Sequence, residues 1–185
     1  SDGALLSLKR FQFSGKWYFA DQDCSLARDK FAYDPESDGW YWFDADGTMA
    51  SNKDAFVPAS NNDRSHGKWV RCGADGRLVK GEDYRVHEGT ASWYYFDPVT
   101  GEMAKGFAFI PSNGGKWVFY DRVTGRMLYG EQAIDGSWYY LTPGTGAVDY
   151  EWAWIPTSRK WVYYEPVTGK MVHGERMVDG WPRYF

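Results

Sequence analysis

Histidine and cysteine are scarce in this chain of 185 residues, which holds three His and two Cys. Cys24 and Cys72 are too few to frame a disulfide mini-protein or a structural zinc site. They can form one disulfide or remain two thiols, since one sequence does not place them in space. An excess of positive charge is also missing. With 21 Lys+Arg against 25 Asp+Glu, the net charge of −4 argues against a nucleic-acid or anionic-membrane partner, because both need a basic footprint. No apolar run approaches the roughly 18 residues of a membrane span. Gly-x-Ser-x-Gly, Walker and Gly-x-Gly-x-x-Gly motifs do not occur, and His66, His87 and His173 fall at unrelated phases of the repeat described below. Carboxylates are plentiful, but they recur with that repeat, as turn residues do, instead of standing as one glycosidase pair. No enzyme, cofactor or metal site is expected.

Aromatic residues and glycine are abundant. Trp (11), Tyr (14) and Phe (11) make up 19% of the chain, beside 21 Gly, a composition that does not belong to disordered chains. One Trp recurs at 17, 40, 69, 93, 117, 138, 161 and 181, in steps of 20 to 29 residues, and its surroundings travel with it. Trp93-Tyr94-Tyr95-Phe96-Asp97 runs into Pro98-Val99-Thr100-Gly101-Glu102-Met103. Trp117-Val118-Phe119-Tyr120-Asp121 and Trp161-Val162-Tyr163-Tyr164-Glu165 run into the same Val-Thr-Gly-x-Met text. Internal repetition at this period signals an array of small supersecondary units.

Each unit reads as a β-hairpin, with Trp93 and Tyr95 on one face of the strand and Tyr94 and Phe96 on the other. The Asp-Pro-Val-Thr-Gly segment supplies the turn, and the Met segment reads as the return strand. A lone hairpin is marginal in water, so seven or eight must stack into an all-β solenoid in which each buries its neighbour's aromatic face. On this reading most Trp and Tyr residues fill the core, and Met49, Met103, Met127 and Met171 fill gaps between rings. Residues 1–185 form one such solenoid, with a deviating N-terminal cap repeat over 1–30 and an incomplete C-terminal repeat over 175–185. The linkers alternate over 44 or 45 residues: Phe107 and Trp152 open the long apolar type, whereas Glu82, Glu131 and Glu175 open the other. That variation marks Phe107, Trp152 and Trp154 as the aromatics the stack itself does not require.

These residues resemble the choline-binding and glucan-binding repeat superfamily of Gram-positive surface proteins, over roughly residues 15–185. The resemblance implies a hairpin solenoid and a non-catalytic binding role in a secreted protein at the cell wall, with teichoic-acid choline or a surface glycan as partner. It also implies that a cation sits between consecutive hairpins, gripped by ring faces. Carried onto this chain, one such cage is Trp138, Trp152 and Tyr163, and a second is Trp93, Phe107 and Phe119. The Glu residues at the other linkers remove one wall of the cage and either pair with a cation or cap a strand, which leaves two or three cages in the chain and brings carbohydrate forward as a ligand. A structural spacer or protein-binding adhesin is the alternative, and a glycan hydrolase a more distant one.

Overall fold

The computed structural model describes residues 7–60, 63–87 and 89–185. Among them sixteen strands pair two by two, each only with its chain neighbour, as eight separate two-stranded sheets. The pairs are β1 (Lys9–Phe13) with β2 (Lys16–Ala20), β3 (Lys30–Asp34) with β4 (Gly39–Phe43), β5 (Lys53–Ser60) with β6 (Asp63–Cys72), and β7 (Gly81–His87) with β8 (Thr90–Phe96). They continue as β9 (Gly106–Ile110) with β10 (Lys116–Tyr120), β11 (Gly130–Ile134) with β12 (Ser137–Leu141), β13 (Glu151–Ile155) with β14 (Lys160–Tyr164), and β15 (Glu175–Val178) with β16 (Trp181–Tyr184). The all-β array of stacked hairpins is therefore as expected. The chain divides into two compact units, the described residues of Ser1–Tyr84 with Tyr95–Met103, and Arg85–Tyr94 with Ala104–Phe185. The first six residues of the N-terminal cap lie outside the described residues.

The hairpins differ from the expectation in which segments pair. The Trp strand pairs with the linker before it, not with the Met segment after it. Trp117 stands opposite Phe109, Phe119 opposite Phe107, and Trp161 opposite Trp154. Residues 111–115 and 156–159 connect these two strand pairs, and two-residue turns set the same pairing in β1–β2, β11–β12 and β15–β16. Asp135-Gly136 carries φ of 49° and 77°, Ser14-Gly15 carries 48° and 75°, and Asp179-Gly180 carries 53° and 78°. Two successive positive φ angles make the type I′ turn whose twist matches paired strands. The Met segment instead makes a single bridge to its own strand, such as Tyr120 to Met127.

Its main role is to lace hairpins together. In the first unit the Met49 amide donates to the Trp17 carbonyl (2.8 Å) and the Met103 amide to that of Trp69 (2.7 Å). In the second unit Met127, Val148 and Met171 do the same toward Trp93, Trp117 and Trp138, at 2.9, 2.8 and 2.8 Å. The turn glycine of the following repeat then covers the side chain: a Cβ on Gly76 would lie 2.6 Å from Met49 Cε. Thr-Gly-x-Met thus recurs because the glycine and the apolar residue of adjacent repeats pack on each other.

The repeated Trp does not fill the core. Alternation puts its two odd neighbours inside: Tyr94 and Phe96, Val118 and Tyr120, Tyr139 and Leu141, and Val162 and Tyr164 are all buried. Trp93, Trp117, Trp138 and Trp161 keep 37, 48, 46 and 63% of their surface exposed. The interior breaks into small clusters, such as Phe19, Ala27, Ala32, Tyr41 and Phe43 in the first unit, and Phe119, Ile134, Tyr139, Leu141 and Val148 in the second. Nearest-neighbour clusters of this kind are how repeat arrays hold together.

One buried group is poorly served. The Tyr164 hydroxyl is buried with no hydrogen-bond partner among the described residues, and burial pushes its pKa up. An unsatisfied buried hydroxyl costs about 1–3 kcal/mol. Tyr164→Phe is therefore expected to raise stability by about 1 kcal/mol, read as a higher urea midpoint at unchanged slope.

The turn carboxylates act as turn formers. Asp97 Oδ1 accepts the amides of Thr100 (2.6 Å) and Val99 (2.9 Å), and Asp121 Oδ1 accepts those of Thr124 (2.6 Å) and Val123 (3.0 Å). The side chain and amide of Thr48 serve Asp46 in the same way. These bonds hold Asp46, Asp97 and Asp121 below the ordinary carboxylate range. A folded pKa below the unfolded value near about 3.9 gives stability that is complete above that value and lost as pH falls through the folded one. Asp149 opposes this, since burial raises its pKa and acidification relieves its charge. The turn groups outnumber it, so the thermal midpoint should hold between pH 5 and 7 and fall below about pH 4. A series of melts across that range checks the direction.

Cys24 takes a turn position with φ 65°, where the next repeat has Gly47 at 86°. It is exposed, Cys72 is buried, and both are free thiols. Burial pushes the Cys72 thiol up to about 11, so it should alkylate only when the chain unfolds.

Candidate functional site

The position opposite the third residue of each Trp motif decides what an inter-hairpin junction can do. It holds Phe31, Phe107 and Trp152, facing Trp42, Phe119 and Tyr163. Elsewhere it holds Arg10 facing Phe19, Asp54 facing Arg71, Glu131 facing Tyr140, and Arg176 facing Arg183. Glu175 pairs with Tyr184, one step further along, because the Asp179-Gly180 turn sets the register. Arg176 rather than Glu175 therefore stands at the place of Phe107.

In the second unit, Phe107 opens a cleft of about 260 Å³ with Trp117, Tyr139 and Tyr150, closed by Val148 and Val167. Phe107 meets Tyr139 of the next hairpin at 5.1 Å between ring centroids and Phe119 at 4.8 Å, edge to face. Trp117, Phe107 and Tyr150 are the exposed walls. Among the described residues no charged side chain lines this cleft.

The first unit repeats the arrangement with different chemistry. A cleft of about 580 Å³ is lined by Phe31, Trp40, Leu78, Val99, Asp38, Arg77 and Lys80. Trp40, Phe31, Leu78 and Val99 take the repeat positions of Trp117, Phe107, Val148 and Val167, while Lys80 replaces Tyr150. Lys80 Nζ donates to the Val99 carbonyl at 3.0 Å, and Arg77 reaches the Ser37 carbonyl. Asp38 accepts the Tyr33 hydroxyl at 2.6 Å, a bond that raises the Tyr33 pKa.

Trp152 and Tyr163 are also brought together, with ring centroids 5.1 Å apart. Their third partner is Phe185, at 5.5 Å from Trp152 and stacked on Tyr163 at 5.4 Å. The Arg183 guanidinium lies 5.8 Å from the Trp152 ring. Trp138 stands outside this trio, and no ring contact reaches it among the described residues. Phe107 and Phe119 touch, but Phe119 is 5% exposed and belongs to the core. Trp93 does not line the Phe107 cleft. Trp40, Trp117 and Tyr150, which the sequence reading did not single out, do line clefts. The available signal was an aromatic linker preceding its own Trp: Phe31 before Trp40 and Phe107 before Trp117.

Two family models match within the chain: the choline-binding repeat over residues 112–149 and a cell wall binding repeat over residues 30–49. These two stretches are similar to choline-binding-type repeats. Each matched stretch carries a Trp motif that lines one of the two clefts. Choline-binding protein F from Streptococcus pneumoniae is similar at 25% identity with a TM-score of 0.66, over 93% of this chain and 53% of that one. CbpF in complex with ipratropium is similar at 25% identity with a TM-score of 0.72, over 91% and 55%. The choline-binding domain of CbpL from Streptococcus pneumoniae shares the fold at 23% identity with a TM-score of 0.61, over 94% and 85%. The chain spans about half the length of choline-binding protein F. No curated protein matches its sequence. No helix among the described residues is long and apolar enough to cross a membrane.

Proposed function

We propose that the chain is a non-catalytic cell-wall-binding module of a secreted surface protein, and that the Trp117 cleft takes a choline-type quaternary ammonium group. The observation that carries this reading is a notch walled by Phe107, Trp117, Tyr139 and Tyr150 with no charged side chain in its lining among the described residues. A quaternary ammonium offers no N–H to a hydrogen-bond acceptor, so ring faces are its natural grip, each worth about 0.5–2 kcal/mol. The similarity to proteins named for choline binding supports the same reading. Trp152 and Tyr163, beside Phe185, form a second aromatic corner, where the Arg183 guanidinium 5.8 Å from the Trp152 ring competes with a bound cation.

The Trp40 cleft favours a sugar of a wall glycan. Arg77 and Lys80 in its lining oppose a bound cation, whereas Trp40 offers a ring face and Arg77, Lys80 and Asp38 offer polar partners to hydroxyl groups. Each site is weak alone, and retention on a wall polymer comes from several sites engaging one chain.

The test is a titration of tryptophan fluorescence with choline chloride, against sodium chloride at equal ionic strength, and separately with glucan oligosaccharides. A saturable choline response is the expected result. No response to either ligand would replace this reading with a spacer or protein-binding adhesin.

A further inference from the structure

The junction between the first two hairpins repeats the Trp and Tyr walls of the Trp117 cleft, but it is filled from within. At the place of Phe31 and Phe107 stands Arg10, opposite Phe19. Its guanidinium carbon lies 3.9 Å from the centroid of Tyr41 and 5.2 Å from that of Trp17. Arg10 Nη1 is 3.5 Å from Met49 Sδ. Trp17, Tyr41 and Met49 are the repeat equivalents of Trp117, Tyr139 and Val148, so the guanidinium occupies the notch that is open elsewhere.

The cation is anchored behind the rings. Arg10 Nε donates to Asp34 Oδ2 at 2.6 Å, with only 16% of the Arg10 side chain and 3% of the Asp34 side chain exposed. The Ser37 hydroxyl donates to the same oxygen at 2.6 Å. Burial alone would raise the Asp34 pKa, yet the bonds from Ser37 and Arg10 outweigh it and hold the carboxyl ionised below the ordinary range. A buried carboxylate behind two ring faces demands a positive charge in front of it.

We propose that the Trp17–Tyr41 notch is a cation site of the array whose permanent occupant is the chain's own Arg10. Removing the guanidinium turns it into a site for a free quaternary ammonium or guanidinium ion. In the native chain Arg10 closes this junction to ligand and clamps the first two hairpins together. The number of sites open to ligand is then set by the residue opposite the third position of each Trp motif: a ring leaves the notch open, and an arginine fills it.

The experiment compares the full chain with Arg10→Ala by calorimetric titration with choline chloride. One additional equivalent of bound choline is expected in the variant. Choline should also raise its melting temperature more than it raises that of the native chain, at matched ionic strength. Arg10→Met, which refills the notch without charge, should show neither gain. A folded Arg10→Ala chain with unchanged stoichiometry and an unchanged choline-induced shift would overturn the proposal. If Arg10→Ala does not fold, the Arg10 Nε–H resonance of the native protein decides. Seated between rings and carboxylate it should be shifted by ring currents and slow to exchange, and a resonance at the solvent-exposed position with fast exchange would refute the seating. Choline binding confined to the variant would support this site while removing the function proposed for the Trp117 cleft, so the two readings fail separately.

Discussion

Gly169→Ala is expected to lower stability by about 2–5 kcal/mol, from the sum of a backbone cost and a packing cost. Gly169 has φ +70°, and a Cβ there would lie 2.5 Å from Val148 Cγ1 and 3.4 Å from the Asp149 carbonyl oxygen. The left-handed conformation costs a non-glycine residue about 1–2 kcal/mol. Overpacking adds about 1–3 kcal/mol when the neighbour is not free to move. Val148 is not free: it is 6% exposed, and its amide is bonded to the Trp117 carbonyl at 2.8 Å. Gly174→Ala is the matched control, since φ is +76° but a Cβ meets nothing within 4 Å. Its loss should be confined to the backbone cost of about 1–2 kcal/mol. Denaturant midpoints at unchanged slope measure both. Equal losses at the two glycines would mean that the lacing of turn glycine onto the preceding repeat carries no energy.

Trp117→Ala should weaken choline binding about 10-fold, or about 1.4 kcal/mol, within the range of one desolvated cation–ring contact. Trp117 is the most exposed aromatic wall of the uncharged cleft, at 48%, and it fills none of the core clusters. Its truncation should therefore spare the fold, which a thermal melt of the variant verifies. The comparison is Trp69→Ala. Trp69 occupies the same repeat position with 42% exposure, but its hairpin carries Asp54, paired with Arg71 at 3.4 Å, at the place of Phe107. That substitution should leave the fitted affinity within about two-fold, below the worth of one ring contact. Equal losses in the two folded variants would detach binding from the Trp117 cleft.

Much of this architecture was legible before any coordinates. The recurrence of Trp with Val-Thr-Gly-x-Met announced a stack of hairpins, and the positive φ at Gly101, Gly125 and Gly169 follows from turn chemistry. The pairing was misread because the Asp-Pro-Val-Thr-Gly turn is the more conspicuous text. Asp135-Gly136 and Asp179-Gly180 are shorter but stronger hairpin signals, since the twist of a type I′ turn matches that of the strands it joins. That exchange moved the aromatic linkers from connectors to strands. It also moved Phe107 from the neighbourhood of Trp93 to that of Trp117.

By itself the sequence determined that the chain repeats as hairpins, their number to within one, the Asp and Gly turn residues and the two alternating faces of every Trp strand, because these depend on local periodicity and turn chemistry. Only the tertiary structure decided which face is core and which junctions are open. Those depend on which ring stands across the strand and what the next repeat brings against it. Arg10 shows the difference: along the chain it is one arginine among basic and aromatic neighbours, and only when Tyr41 and Asp34 close around its guanidinium does it become the occupant of a notch.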